Sequence, residues 1–365
     1  MSGRLPDFPW DTLAPHAAAA REHPDGIVDL SVGTPVDPTP GVVQEALTAA
    51  ADAPGYPMTY GTSALRAAVA GWFARRREVP WLDPDGVLPT IGSKEMVAWL
   101  PTLLGLGAGD VVVHPEVAYP TYDVGARLAG ATPVASDGLT SLGPQRVRLV
   151  WLNTPSNPIG RVLPTAHLRK VVDWARERGA VVASDECYAE LGWSAAAPPV
   201  SLLHPDVCGG DHRGLLVLYS LSKQSSMAGY RAAFAAGDPA LVRDLLEVRK
   251  HAGMMVPAPV QAAMVAALGD DAHVAEQKKR YAVRREQLLP ALRGAGFRVD
   301  DSDAGLYLWA TRDEDCWATV ERLAAIGILV APGSFYGPAG ARHVRVALTA
   351  TDERVVAAVS RLARM

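Results

Sequence analysis

The segment VLYSLSKQSSMAGYR, residues 217–231, places a lysine and an arginine directly after an apolar stretch. Lys223 stands among serines, and Arg231 follows about two helical turns later. A lysine that loses water at the end of a buried strand needs either a counter-charge or a chemical role as an amine. As an amine, Lys223 could form a Schiff base with an aldehyde and carry protons.

Polar or aromatic residues also follow the other apolar runs of the first two thirds of the chain. Ligands of open α/β sheets bind beyond the carboxyl ends of the strands, so we expect these residues to lie along one edge, near Lys223. Backbone N–H groups at the start of a helix could hold a phosphate there. The residues are Gly92, Ser93 and Lys94 after GVLPTI, Tyr119 after VVVHP, Asn157 after RLVWLN, Asp185 and Tyr188 with AVVASD, and Ser220 and Ser222 after LLVLY.

These residue types together match one ligand, pyridoxal phosphate, whose ring acts as an electron sink and needs a partner for its protonated nitrogen. Lys223 would bind the aldehyde, and Asp185 would accept a hydrogen bond from the pyridine nitrogen. Asn157 and Tyr188 would contact the phenolic oxygen, and Tyr119 would stack on the ring. The residues predicted around the phosphate are Gly92, Ser93, Lys94, Ser220, Ser222 and Arg231.

Each of these features alone has a plainer interpretation. Lys223 could be an exposed surface lysine, Asp185 a helix cap, and Arg231 half of a surface ion pair. The tyrosines could simply pack, and NPIG could be a turn. The interpretation therefore depends on the ordered occurrence of all of them along one chain. GPAGARH, near residue 340, lacks the Gly-Lys-Ser/Thr ending of a P-loop.

Composition excludes several other classes of protein. The chain has 365 residues, 49% hydrophobic and 20% charged, and a net charge of −4, which gives no basis for nucleic-acid or anionic-membrane binding. Its three cysteines are too far apart for a metal-ligand pair and odd in number, so we expect neither a metal site nor a disulfide framework. No secretion signal or membrane span is visible, and we expect a cytoplasmic protein.

The pattern of elements predicts an α/β fold with two domains. Seven runs that are apolar on both faces alternate with helical patterns, as expected of a mostly parallel sheet sandwiched by helices. After about residue 238 the sequence pattern changes and predicts long helices and a few strands. We expect an N-terminal arm that belongs with the smaller domain over residues 1–52, a large ligand-binding domain over 53–258, and the rest of a smaller α+β domain over 259–365.

Over nearly its whole length the sequence resembles class I/II aminotransferases of fold type I. The motifs that carry the resemblance are LSVGTPVDP, GYPMTYGT, IGSKE, PEVAYPTY, NTPSNPIG, SDECY, SLSKQSSMAGYR and HVRVAL. The resemblance implies an aspartate aminotransferase-like fold and a homodimer with shared active sites. It also implies that Tyr56 reaches the phosphate in the partner subunit, that Arg345 and Asn157 bind substrate, and that Gly33 lies in a mobile segment over the substrate.

Segments such as PDGIVDLSVGTPVDP and AGLYLWAT resemble the sequences of actinobacterial N-succinyldiaminopimelate aminotransferases. This resemblance implies amino transfer between glutamate and N-succinyl-2-amino-6-oxopimelate, a step of lysine biosynthesis. Another class I aminotransferase or a carbon–sulfur lyase on the same scaffold stays open, as does, more remotely, a ligand-sensing regulator of the same fold. The distal carboxylate of the substrate has only weak candidates, namely Arg4, Arg249, Lys250 and His251.

Overall fold

A computed structural model of the protein describes residues 5, 6 and 8–365. The strands are β1 (Val28–Asp29), β2 (Val87–Ile91), β3 (Val111–His114), β4 (Thr132–Ala135), β5 (Val147–Asn153), β6 (Val181–Asp185), β7 (Leu215–Ser220), β8 (Ala232–Gly237), β9 (Arg298–Asp300), β10 (Tyr307–Thr311), β11 (Ile328–Leu329), β12 (Ala331–Pro332) and β13 (Val344–Ala347). The α-helices are α1 (Ala14–Arg21), α2 (Gly41–Ala49), α3 (Ser63–Arg76), α4 (Ser93–Leu103), α5 (Thr121–Ala129), α6 (Thr165–Arg178), α7 (Pro205–Cys208), α8 (Leu221–Gln224), α9 (Pro239–Ala252), α10 (Ala258–Gly269), α11 (Asp271–Gly294), α12 (Cys316–Ala325) and α13 (Asp352–Leu362).

The large sheet has seven strands in the order β2-β8-β7-β6-β5-β3-β4. Neighbouring strands of this sheet pair in parallel except at β8, which is antiparallel to both β2 and β7. The seven runs predicted from the sequence are these seven strands, and the mostly parallel sheet is confirmed. Apolar clusters cover both faces, which is why the strands read as continuous apolar runs rather than alternating ones.

A second unit is built on a four-stranded antiparallel sheet in the order β12-β13-β10-β9. Its core includes Leu13 and Ala17 from the start of the chain and residues of α11, α12 and α13. Strand β1 adds to this unit by pairing in parallel with β11. The N-terminal arm therefore packs with C-terminal elements, which joins both ends of the chain in one core.

The helices α2 and α10 lie next to each other and pack into the core beneath the large sheet. Val43 of α2 and Met264 of α10 belong to the same apolar cluster as the sheet residues Val217 and Phe234. This packing favours grouping both helices with the large domain. Helix α2 and nearly all of α10, however, lie outside the span 53–258 that was predicted for that domain. The division at 52 and 258 stays a prediction.

Three helices begin at an aspartate that caps the first turn. Asp238, Asp270 and Asp315 each cap a helix by accepting a hydrogen bond from a backbone N–H two residues later. These caps fix α9, α11 and α12 after their loops. Among the residues described, no helix has both the length and the apolar composition needed to cross a membrane.

Candidate active site

A cavity of about 690 Å³ lies at the carboxyl ends of the large-sheet strands, against the smaller domain. Residues from β5, β6 and β7, or from the turns after them, form its floor, where a parallel sheet presents its ligand-binding edge. The predicted residues that line it are Gly33, Ser93, Lys94, Tyr119, Asn157, Asp185, Tyr188, Ser220, Ser222, Lys223, Arg231 and Arg345. Residues that the sequence analysis did not single out also line it: Phe8, Trp10, Val32, Thr34, Asn153, Cys187, Ala228, Gly229 and Tyr307.

Lys223 lies on the short helix α8, directly after β7. Ser220 caps this helix by accepting a hydrogen bond from the N–H of Ser222, so the strand end and the lysine are held in a fixed relation. The Lys223 ammonium group donates to the backbone oxygen of Gly33. Burial lowers the pKa of Lys223 below its usual range. A lowered pKa favours the neutral amine, which is the form that attacks a carbonyl and accepts a proton.

Asp185 ends β6 and is 7% exposed. Its Oδ1 accepts from the N–H of Cys187 at 3.2 Å, and its Oδ2 accepts from the Tyr122 hydroxyl at 3.0 Å. Burial raises the pKa of Asp185, and these two hydrogen bonds oppose that rise. The donors are neutral, so a protonated ring nitrogen would supply the positive partner that a buried carboxylate needs.

A cradle for an anion forms where β2 runs into α4. Gly92 has φ +73°, and a Cβ there would lie 2.6 Å from Arg231 Cζ, so only glycine lets the backbone and the guanidinium come this close. The first N–H groups of α4, at Ser93 and Lys94, have no partners within the helix. Arg231 is held by a hydrogen bond to the Ala228 carbonyl at 2.8 Å. This arrangement suits a phosphate.

Arg345, on β13, is 3% exposed and lies on the opposite wall. It donates to Asn157 Oδ1 at 3.1 Å and to the Ser31 carbonyl at 2.6 Å. Asn157 is fixed in turn because its N–H donates to Asn153 Oδ1 at 2.7 Å. The Nε of Arg345 is buried without a partner among the described groups. A guanidinium with a donor still free can take a carboxylate.

Three tyrosines surround the space between Lys223 and Arg345. The hydroxyls of Tyr188 and Tyr307 are 3.1 Å apart, and burial raises the pKa of Tyr188 well above its usual range. Burial also raises the pKa of Tyr119, to about 12. Both Tyr119 and Tyr188 therefore stay protonated at neutral pH and can donate hydrogen bonds.

Several predicted residues lie elsewhere. Tyr56 is 96% exposed and does not line this cavity. Arg249 is fully buried and makes two hydrogen bonds to Glu95, so the suggestion that it reads the distal carboxylate is wrong. Lys250 is exposed and donates to Glu247, and its role stays a prediction, as does that of His251. Arg4 lies outside the described residues.

Two residues that contact the site were missed by the sequence reasoning. Tyr122 lies in the first turn of α5, three residues after Tyr119, and its place in the quoted PEVAYPTY was the available signal. Tyr307 stands at the start of β10, within the quoted AGLYLWAT, but nothing local marks it as facing a ligand.

The protein's own groups fit pyridoxal phosphate in three respects. A buried amine with a lowered pKa can bind the aldehyde, and a buried carboxylate bonded only to neutral donors can pair with the ring nitrogen. A cradle that a Cβ would fill can hold the phosphate. Lys223, Asp185 and Arg231 would hold the group through these contacts.

Comparisons with known proteins agree with this geometry. The sequence profile of aminotransferase class I and II matches residues 25–362. A probable aminotransferase of Mycobacterium tuberculosis is 67% identical over 99% of this chain and 86% of its own length. The 4-dedimethylamino-4-oxo-anhydrotetracycline transaminase OxyQ of Streptomyces rimosus is 60% identical over 98% of this chain and 99% of its own length.

Solved structures show the same fold. An aminotransferase of Neisseria meningitidis superposes with a TM-score of 0.89 at 31% identity, covering 100% of this chain and 98% of its own. A probable N-succinyldiaminopimelate aminotransferase of Thermus thermophilus superposes with a TM-score of 0.87 at 29% identity, covering 98% of this chain and 100% of its own. The chain belongs to the class I and II aminotransferases, the pyridoxal-phosphate-dependent enzymes of fold type I.

Proposed function

We propose that this aminotransferase moves an amino group between glutamate/2-oxoglutarate and N-succinyl-LL-2,6-diaminopimelate/N-succinyl-2-amino-6-oxopimelate. The observation that carries amino transfer is the meeting of Lys223, Asp185 and Arg345 in one cavity. The similarity to the Thermus enzyme supports the succinylated substrate, as do relatives named LL-diaminopimelate aminotransferase at 32–33% identity. A cavity of about 690 Å³ is also within the range that holds ligands larger than glutamate.

Each protein group has a definite task in this proposal. Arg345 binds the α-carboxylate of either substrate, steadied by Asn157 and the Ser31 carbonyl. Lys223 Nζ takes the proton from the substrate Cα and later returns a proton, as a general base and acid. The Asp185 carboxylate would stabilise the positive charge of the protonated ring nitrogen. When bound, pyridoxal phosphate supplies the ring that accepts the electron pair left at Cα.

The substrate is tested with glutamate as the amino donor and a panel of acceptors. The panel contains 2-amino-6-oxopimelate in its N-succinyl, N-acetyl and unacylated forms, and kcat/KM is measured for each. We expect the succinylated acceptor to have the highest value. An equal or higher value for either of the other two would remove the succinyl group from the proposal while leaving amino transfer in place.

A second acceptor deserves the same assay because OxyQ is 60% identical over 99% of its length. The name of that enzyme describes transfer to the 4-oxo group of an anhydrotetracycline. Adding 4-dedimethylamino-4-oxo-anhydrotetracycline to the panel therefore separates an enzyme of diaminopimelate metabolism from one that aminates a bulky cyclic ketone. A higher kcat/KM for the ketone would favour the second function.

A further inference from the structure

Tyr307 lies at the centre of the site's contacts, although no part of the proposed reaction uses it. It is 4% exposed and lines the cavity between Lys223 and Arg345. Three different functional groups contact it: a guanidinium, a phenol and the backbone of the segment that contains Gly33. A buried side chain with three such contacts can hold those groups in their relative positions.

The first contact is between the ring and Arg345. Strands β10 and β13 are antiparallel, and Trp309 pairs directly with Arg345. Tyr307 is two residues from Trp309, so it shares a face of the sheet with Arg345 and is its diagonal neighbour. The guanidinium carbon lies 4.0 Å from the Tyr307 ring centroid. The ring thus stacks on the arginine and limits the directions in which its remaining donors can point.

The second contact is between the hydroxyls of Tyr307 and Tyr188, at 3.1 Å. Burial raises the pKa of Tyr307, but the positive charges of Arg345 and Lys223 outweigh burial and lower it overall. The pKa of Tyr188 is raised well above its usual range by burial. Either hydroxyl can donate at this distance, and these two pKa directions favour Tyr307 as the donor. With Tyr307 donating, the Tyr188 proton is free to point into the cavity.

The third contact explains Gly33 in physical terms. A Cβ at Gly33 would lie 2.8 Å from Cε1 and Cζ of Tyr307, so any larger residue would push the ring away. The Gly33 carbonyl accepts from Lys223, and the Ser31 carbonyl accepts from Arg345. The Tyr307 ring therefore packs against a segment that is bonded to both functional cations.

We propose that Tyr307 is a positioning residue for amino transfer, whose ring orients Arg345 toward the α-carboxylate and whose hydroxyl orients Tyr188. The inference rests on the proposed function for the identity of the carboxylate substrates. The two parts of the side chain have separate tasks, so two substitutions can separate them. Tyr307→Phe removes only the hydroxyl, and Tyr307→Leu removes the hydroxyl and the ring.

The hydroxyl is tested by titrating the visible absorption of the pyridoxal-phosphate-loaded protein with pH, without substrate. A hydrogen bond donated to an anionic oxygen favours its deprotonated form. The expected acceptor of the Tyr188 hydrogen bond is the phenolic oxygen of pyridoxal phosphate. If Tyr188 donates to it less well after Tyr307→Phe, the pH midpoint of the titration should rise. Tyr336→Phe is the comparison variant, because the Tyr336 ring is also close to Arg345, at 5.0 Å, while its buried hydroxyl has no partner among the described groups. It should shift the midpoint less.

The ring is tested by comparing KM for glutamate in the two Tyr307 variants. Tyr307→Phe keeps the stacked ring and should change this KM by no more than about twofold. Tyr307→Leu should raise it roughly tenfold, the order expected when a partly desolvated cation–π contact is lost. Tyr307→Met replaces leucine if the leucine variant does not fold.

An unchanged midpoint in Tyr307→Phe, or one that moves no further than in Tyr336→Phe, would overturn the hydroxyl role. Equal KM values for the phenylalanine and leucine variants would overturn the ring role. The titration needs no substrate, so it keeps its meaning even if glutamate is not the amino donor. In that case the wild type shows no amino transfer from glutamate, which contradicts the proposed function. The Tyr307 titration still decides the role of the hydroxyl.

Discussion

At the residue scale, burial shifts the pKa values of the site's buried lysine and buried aspartate in opposite directions. Burial lowers the pKa of Lys223 and raises that of Asp185. For Lys223 the shift favours the neutral amine. For Asp185 the shift opposes the charged form, so the carboxylate depends on the hydrogen bonds from Tyr122 and Cys187 and on a cation in the cavity. These environments support the proposed roles of the lysine in proton transfer and of the aspartate in charge stabilisation.

Lys223→Ala should reduce amino transfer from glutamate by at least about a thousandfold, because one amine serves as both proton acceptor and proton donor. The fold should survive, since among the described residues the side chain makes one hydrogen bond, to the Gly33 carbonyl. The measurement is 2-oxoglutarate formation, with circular dichroism as the folding control. Lys170→Ala, at an exposed lysine of α6, is the matched variant and should keep wild-type rates. Substantial turnover in Lys223→Ala would exclude it as the catalytic amine.

Asp185→Asn should lower kcat by about a hundredfold or more while the protein still binds pyridoxal phosphate. An amide of the same shape cannot keep a ring nitrogen protonated as a carboxylate can. Tyr122→Phe leaves the carboxylate but removes one of its two donors, so its loss should be smaller. The measurements are kcat for glutamate and the cofactor content of the purified variants. A near-normal kcat in Asp185→Asn would mean that the carboxylate is not the ring partner.

At the element scale, one face of α11 connects Lys223 to the segment over the cavity. His273 contacts Ser225 Oγ at 2.8 Å, and the Tyr281 hydroxyl donates to the Lys223 carbonyl at 3.3 Å. Arg284, further along the same face, forms an ion pair with Asp37, which lies four residues after Gly33. Because residues three or four apart share a helix face, one rigid helix holds both parts of the site.

Asp37→Asn should destabilise the protein by about 2 kcal/mol at pH 7, since it removes the charge from hydrogen bonds that Arg284 and Gln277 donate. Burial alone would raise the pKa of Asp37, but these partners lower it below its ordinary value of 3.8. The stabilisation is therefore complete above pH 3.8 and is lost as the pH falls below it. The checks are urea unfolding of both proteins from pH 7 downward and KM for glutamate.

For this variant, KM should rise because the segment that includes Ser31 and Gly33 loses its anchor. Asp25→Asn, on the N-terminal arm, serves as the control because the contact shown from Asp25 to Arg354 is made by the backbone oxygen. A stability difference that persisted unchanged well below pH 3.8 would contradict a charge-based anchor.

The sequence predicted the large sheet and most of the cavity for the same physical reason. Strands buried on both faces appear as continuous apolar runs, and the polar residues that follow them must meet at one edge. Contacts set by pairing between distant segments could not be predicted. Tyr307 meets Arg345 only because of the register of β10 and β13. Arg249 was a candidate for binding the distal carboxylate because nothing near it in the sequence indicates a partner. The fold places Glu95 against it in an ion pair.

At the scale of the whole molecule, the cavity lies between two cores formed from interleaved parts of the chain. Aminotransferases of this family are typically dimers. In this chain Tyr56 is 96% exposed, and Met58 beside it is 56% exposed. Large exposed side chains of this kind often mark a contact surface. The proposal that Tyr56 completes the phosphate site of a partner subunit gives this exposure a purpose.

If the sites are shared, two inactive variants should restore activity when they form mixed dimers. Lys223→Ala lacks the amine, and Tyr56→Ala should bind pyridoxal phosphate weakly because its partner's phosphate loses a contact. In a mixed dimer one site carries both defects, and the other combines an intact Lys223 with an intact Tyr56. Random pairing after co-expression should therefore make about one quarter of all sites wild type. Amino transfer by the co-expressed pair is compared with that of each variant alone, at a pyridoxal phosphate concentration that loads the wild type but leaves Tyr56→Ala largely empty. Activity no greater than the mean of the two separate variants would show that Tyr56 serves its own subunit or no site.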